Sequence, residues 1–274
     1  MTQPPADQPA SPEQHTVVVE RAAGVATVRF NRPEAMNSLD TPTKVALLEA
    51  LQDVAADPGV RCVVLTGSGR AFCVGQDLKE HIKLLQAEDQ SLWRTVPEHY
   101  NPIVTLLATM DKPVIAAVNG VAAGAGAAFA MAADLRIVAD TAGFNLAFVG
   151  IALSCDSGSS WSLPRLVGTA KAKELLLLPR TVPADEAAAI GLATEVVPAD
   201  QLADHVAALA ARLAAGPTRA YGAVRRAVEV SAGAPLEQAL EHEAGLMAET
   251  GASADHRAAV AAFLAKETPV FTGE

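Results

Sequence analysis

The sequence predicts an α/β fold in which strand–corner–helix units repeat and a helical module closes the chain. Three observations carry this. Short β-branched runs at 62–66 and 114–118 each lead into a glycine-containing corner and then a helical pattern. A further run at 135–139 continues the series, and from Asp200 onward every periodic stretch has helical spacing.

Residues 1–15, MTQPPADQPASPEQH, lack a basic start and an apolar centre, so they predict a disordered tail rather than a signal peptide. Residues 16–20 and 25–30 alternate around Arg21-Ala22-Ala23-Gly24, a hairpin pattern, and Asn31-Arg32-Pro33 breaks the second strand. Thr41-Pro42 opens a helix that runs to about Ala56 with Val45, Leu48, Leu51 and Val54 as its apolar stripe. The strand at 62–66 leads to the corner at 71–77, a polar segment, and a helix around 102–110. The strand at 114–118 leads through Asn119-Gly120 to Gly124-Ala125-Gly126 and an alanine-rich helix. After 135–139 come a Gly/Ser-rich loop at 150–160, helical turns near 161–166 and 170–178, and a short strand at 193–197. Helices are expected over 200–215, 218–230, 235–249 and 253–266. This divides the chain into a core at 16–200 and a helical region at 201–274, which either meets other subunits or covers the core.

Half of the residues are hydrophobic, enough for a substantial core at this length. The net charge of −10 argues against nucleic-acid binding, which needs a clustered basic excess. No apolar run is long enough to suggest a membrane span. Cys62, Cys73 and Cys155 form no disulfide framework and fit the reducing cytoplasm. The six histidines never fall at metal-ligating spacing, so no metal is expected.

The corners carry the chemistry. A Gly-Ala-Gly turn that opens a helix presents main-chain N–H groups at a helix N-terminus, a cradle for an anion, and the corner at 71–77 could aim one more N–H at the same point. Two readings compete at the second corner. The string AAGAGAAFA also suits a small-residue helix packed against a neighbour, and Gly124-Ala125-Gly126 partly matches a dinucleotide-binding loop. The nucleotide fingerprint turns directly off its strand and has a third glycine, whereas here 119–123 intervene and Phe129 takes that place.

Taken together, AFCVGQDLKE, PVIAAVNGVAAGAGAAFAMAADLRIV, SLPRLVG, AAAIGLATEVV and the ending FLAKETPVF resemble the crotonase family of enoyl-CoA hydratases and isomerases, over almost the whole chain after the tail. The resemblance implies a crotonase-like spiral of ββα units with a C-terminal helical module, an acyl-CoA substrate, a trimer or dimer of trimers, and no cofactor beyond the CoA of the thioester. It also assigns the two oxyanion N–H groups to Gln76 and Ala125, where the family usually has a small residue and Gly. Val74 is then placed near the thioester. Lys79, Met36 and Leu39 are placed toward the CoA moiety, as are Phe263 and Lys266, often from a neighbouring subunit. Lys266 reads equally as a solvated surface charge.

Hydratases of this family use two glutamates at positions that here are Ala128 and Phe148, so ordinary hydration is not expected. Asp156, in Ser154-Cys155-Asp156-Ser157-Gly158, resembles the single catalytic Asp of the family's double-bond and phenylacetate-pathway isomerases. Locally it also reads as an N-cap for the next helix. The expected activity is therefore an isomerase that shifts a double bond through a dienolate, with Asp156 as proton shuttle. The alternatives are a hydratase-type lyase, a non-catalytic acyl-CoA binder, and an aryl-CoA dehalogenase with Asp156 as nucleophile. The dehalogenase would need a His where ungapped counting gives Asn101, with His99 two residues away. Asp77 and Asp134 read as structural hydrogen-bonding groups.

Overall fold

A computed structural model describes residues 15–274. The expected tail at 1–15 lies outside the described residues except for His15.

The chain begins with a hairpin, β1 (Val17–Ala22) and β2 (Val25–Phe30). Its turn is only two residues long. Ala23 and Gly24 both have positive φ, 49° and 79°, which suits the right-handed twist of a tight hairpin, so the first strand runs two residues further than the pattern suggested. Helix α1 (Thr41–Ala56) is capped by Asp40 rather than Thr41, its carboxylate accepting from Thr43 N at 3.0 Å. The buried face of α1 is Lys44, Leu47, Leu51 and Val54, whereas Val45 is exposed. The stripe is thus rotated from the expected one, because a lysine occupies an interior position.

Three ββα turns then form the core. Strands β3 (Cys62–Gly67) and β4 (Ala71–Cys73) precede α2 (Leu78–Gln86), α3 (Ser91–Thr95), a π-helical turn at Val96–Tyr100, and α4 (Asn101–Thr109). Strands β5 (Val114–Val118) and β6 (Val121–Ala123) precede α5 (Ala125–Ala132). Strands β7 (Leu135–Ala139) and β8 (Gly143–Asn145) precede α6 (Ser159–Val167) and α7 (Thr169–Leu177). The chain continues through β9 (Thr181–Pro183), α8 (Ala184–Ala189) and β10 (Glu195–Val197). Strands β1, β2, β3, β5 and β7 and the short β10 form one six-stranded sheet in the order β1-β2-β3-β5-β7-β10, parallel except for the hairpin. The short strands form a second sheet, β4-β6-β8-β9.

Every residue of β3 and β5 is buried, as expected of parallel strands covered on both faces. Helix α1 packs on one side of the large sheet. Leu47, Leu51 and Val54 are wholly buried there, each worth about 1.5–3 kcal/mol of hydrophobic stabilisation. The first C-terminal helix, α9 (Leu202–Ala214), packs against β2, β3, β5 and β7 through Leu202, Val206 and Ala210. Of the two readings of the region after residue 200, α9 follows the one in which it covers the core. Helices α10 (Thr218–Ser231), α11 (Leu236–Gly251) and α12 (Ala254–Ala265) follow. Arg225 of α10 donates to Asp134 at 2.7 Å, and Arg61 holds the C-terminal segment by donating to Phe271 O at 2.9 Å.

Candidate active site

The two corners touch. A Cβ built on Gly75, which has φ of +80°, would lie 2.9 Å from Ala123 O and 3.1 Å from Ala125 N, so only glycine lets the first corner press against the second. Gly126 is packed as tightly: a Cβ there would meet Cys73 O at 2.2 Å.

This packing fixes two main-chain donors. Gly75 O accepts from Leu39 N at 2.8 Å, and a trans peptide holds its C=O and N–H on opposite sides, so Gln76 N–H points away from Leu39. Gly124 O accepts from Ala128 N at 3.1 Å, which aims Ala125 N–H out of the N-terminus of α5. Neither N–H is donated to an acceptor among the described residues. Both residues line a cavity of about 250 Å³ together with Val74, Tyr100, Phe148 and Asp156. The rest of the wall is mostly apolar, including Leu92, Trp93, Ile151 and Leu153.

Asp156 is the one carboxylate on that lining among the described residues. Burial pushes its pKa above the usual carboxylate range, partly offset by the Ser157 hydroxyl, which donates to Oδ1 at 2.8 Å. The N-cap reading is corrected: α6 starts after Gly158 without a side-chain cap, and only the main-chain oxygen of Asp156 bonds to Ser159 N, at 2.9 Å. Ser157 and Gly158 both have positive φ, 52° and 73°, so the chain turns sharply just after the acid.

Asp77 and Asp134 are structural, as expected. Asp77 caps α2, accepting from Lys79 N at 3.0 Å and Glu80 N at 3.2 Å. Burial opposes its ionisation, but those N–H groups, the Ser38 hydroxyl and Arg32 outweigh it and keep its pKa low. Asp134 accepts from Val114 N at 2.7 Å.

The residues expected toward CoA divide. Val74 is on the cavity. Met36 and Lys79 are partly or fully exposed nearby in sequence but off its lining. Leu39 is corrected: its side chain is wholly buried in the core, and its contribution is the main-chain brace on either side of Gln76. Phe263, 81% exposed, and Lys266, which ends α12 with φ of 58°, do not line the cavity of this protomer. Ala128 is buried in α5 and Phe148 lines the cavity, so neither hydratase position supplies an acid. His99, the histidine of the dehalogenase alternative, bonds to Thr95 Oγ1 at 3.4 Å and is off the lining, whereas His81 is on it.

Sequence reasoning missed Lys44, Glu80, Tyr100 and Ser157. Tyr100 sits on the π-helical turn, 2% exposed, and its hydroxyl donates to Gln76 Oε1. The available signal was Lys44 itself, a charge at helical spacing with Leu47, Leu51 and Val54.

A ββα spiral whose corners meet over an apolar cavity defines a crotonase-fold enzyme. The model described as "Enoyl-CoA hydratase/isomerase" matches residues 20–274, and the chain belongs to that family. It is 42% identical over 251 residues to the 1,2-epoxyphenylacetyl-CoA isomerase of Escherichia coli K12, covering 92% of this chain and 96% of that protein. It is 44% identical over 259 residues to a "Probable enoyl-CoA hydratase" of Rhodobacter capsulatus, covering 94% and 98%. A crystal structure from Mycobacterium abscessus, assigned to the enoyl-CoA hydratase/isomerase class, superposes with a TM-score of 0.90 at 46% identity, covering 94% and 100%. No described helix is long and apolar enough to cross a membrane.

Proposed function

We propose that the protein is an acyl-CoA isomerase that moves a carbon–carbon double bond of an unsaturated acyl thioester. The observation that carries this reading is the solitary cavity carboxylate, Asp156, facing a site whose two hydratase positions are Ala128 and Phe148. With a 3-enoyl thioester, Asp156 takes a proton from C2, and the C–H electron pair passes into a dienolate with negative charge on the thioester oxygen. Gln76 N–H and Ala125 N–H bind that oxygen, each worth about 2.7–4 kcal/mol in the transition state. The carboxylic acid then returns the proton to C4, leaving the 2-enoyl isomer with no change in composition. The raised pKa of Asp156 suits a group that must both take and give a proton.

The CoA part of the substrate extends toward Met36 and Lys79, with Phe263 and Lys266 reaching it from a neighbouring subunit. A trimer or dimer of trimers is supported by unpartnered apolar side chains on the C-terminal helices, among them Leu236, Leu240, Met247 and Leu264. The three free thiols fit the reducing cytoplasm.

The test offers 3-enoyl, 2-enoyl and aryl-acetyl CoA thioesters and reads absorbance and product mass. Isomerisation changes absorbance at constant mass, and Asp156→Asn should abolish it, a loss of about 10²–10⁴-fold, while thioester binding persists. Gain of one water, release of halide from a halobenzoyl thioester, or binding without conversion would each overturn the reading.

A further inference from the structure

Behind the first corner lies a polar cluster that the proposed chemistry does not use directly. Lys44 is 1% exposed on the inner face of α1. Its Nζ donates to Gln76 Oε1 at 3.3 Å, to Glu80 Oε2 at 3.3 Å and to Thr95 Oγ1 at 2.8 Å. Tyr100 donates a second hydrogen bond to Gln76 Oε1. Gln76 Nε2 in turn donates to Glu80 Oε2 at 3.3 Å, and Glu80 Oε1 accepts from Thr41 N at 2.9 Å. The cluster thus ties the corner to α1, α2, α3 and the π-helical turn.

We propose that Lys44 and Tyr100 are positioning residues, which with Glu80 clamp the Gln76 side chain so that the Gln76 main-chain N–H stays aimed at the thioester oxygen. The inference rests on the reading of Gln76 as an oxyanion donor. Two arguments favour it. Every polar side-chain atom facing Gln76 already has a protein partner, so although Gln76, Thr95 and Tyr100 also line the cavity, these hydrogen bonds act as support for the corner. An ammonium at an interior helix position costs desolvation that a leucine would avoid, so its presence is better explained by orientation than by stability. The need for a clamp is local. Leu39 N binds the carbonyl of the Gly75–Gln76 peptide and Leu39 O accepts from Asp77 N one peptide further on, but no described acceptor holds the Gln76 N–H itself. Fixing the Gln76 side chain adds a third point of hold, on the residue that carries that N–H.

The test uses the full-length protein and two variants, Lys44→Met and Tyr100→Phe. Kinetics on the best-turned-over thioester of the panel are paired with the infrared carbonyl frequency of bound butyryl-CoA labelled with ¹³C at the thioester carbon. In the wild type the bound carbonyl should shift to lower frequency, reporting its polarisation by the two donors. Each variant should lose a large part of that shift and about tenfold in kcat, with KM changed less than about twofold. Tyr100→Phe removes one hydroxyl and keeps the ring, so it remains informative if Lys44→Met does not fold. A wild-type carbonyl shift retained in folded variants, or a kcat loss that only follows lowered thermal stability, overturns the clamp and leaves the proposed function standing. An unshifted carbonyl in the wild type overturns the donor assignment itself, and the clamp with it.

Discussion

The two walls of the cavity are built from different physics. The corner wall consists of main-chain groups held by backbone packing: Gly75 against Ala123 and Ala125, Gly126 against Cys73, and Leu39 bonded on both sides of Gln76. The opposite wall is the loop at 147–158, where Val149 and Ile151 are exposed, Ala152 and Ser157 have positive φ, and the working group is a side chain. In the proposed reaction one half of the site acts through main-chain N–H groups that do not titrate, so Gln76 and Ala125 can serve where the family usually has a small residue and Gly. The other half, in that proposal, depends on one titratable residue, Asp156.

The sharpest way to break this comparison is to delete a main-chain donor without touching a side-chain function. Ala125 is the first residue of α5, where the φ of proline is tolerated, and the substitution replaces the N–H with a ring carbon beside Gly75. Ala125→Pro should therefore lower kcat by about 10²–10³-fold, with some loss of thermal stability from that crowding. Unchanged turnover would show that Ala125 N–H is not a donor.

A second variant tests whether packing alone sets that wall. Gly126→Ala would put a methyl 2.2 Å from Cys73 O, a backbone atom that cannot swing aside. Overpacking of this kind costs about 1–3 kcal/mol, which urea unfolding would measure. A stability equal to wild type would mean that the corners can slide apart.

The smallest effects are those of pH and of stability at the acid wall. Asp156 must be ionised to take a proton, so kcat/KM should fall as pH drops through its raised pKa, placing the acid limb above the ordinary carboxylate range. Ala125→Pro should leave that limb in place. The linkage has the opposite sign from the usual carboxylate. Because burial raises this pKa, the native state holds the proton more tightly than the unfolded chain, so this group's stabilisation is present at low pH and lost as pH rises through the folded value. Asp156→Asn should thus melt at or above the wild-type temperature at neutral pH, measured by differential scanning calorimetry, and a clear drop would assign the residue a structural role instead.

Much of this was legible along the chain. The strand at 114–118 falls where its β-branched run puts it, because a buried parallel strand is apolar throughout, and the one at 135–139 follows although Arg136 interrupts it. The four C-terminal helices keep their spacing, and Asp156 stood out as the acid in a loop that lacks the expected glutamates. The short strands β4, β6, β8 and β9 were not legible, since each is three residues inside a corner or loop without a β-branched run, and the segment at 78–100 read only as polar although it forms α2, α3 and the turn that carries Tyr100.

The sequence by itself determined the repeating α/β core, the two glycine corners and the residue available to move a proton, because those follow from local spacing and from side-chain chemistry. Tertiary structure alone decided that the corners touch, that Leu39 serves through its main chain, and that Lys44, Glu80 and Tyr100 meet behind Gln76. Those contacts join elements up to 56 positions apart, from Lys44 to Tyr100, and no local pattern records which distant side chains packing will bring together.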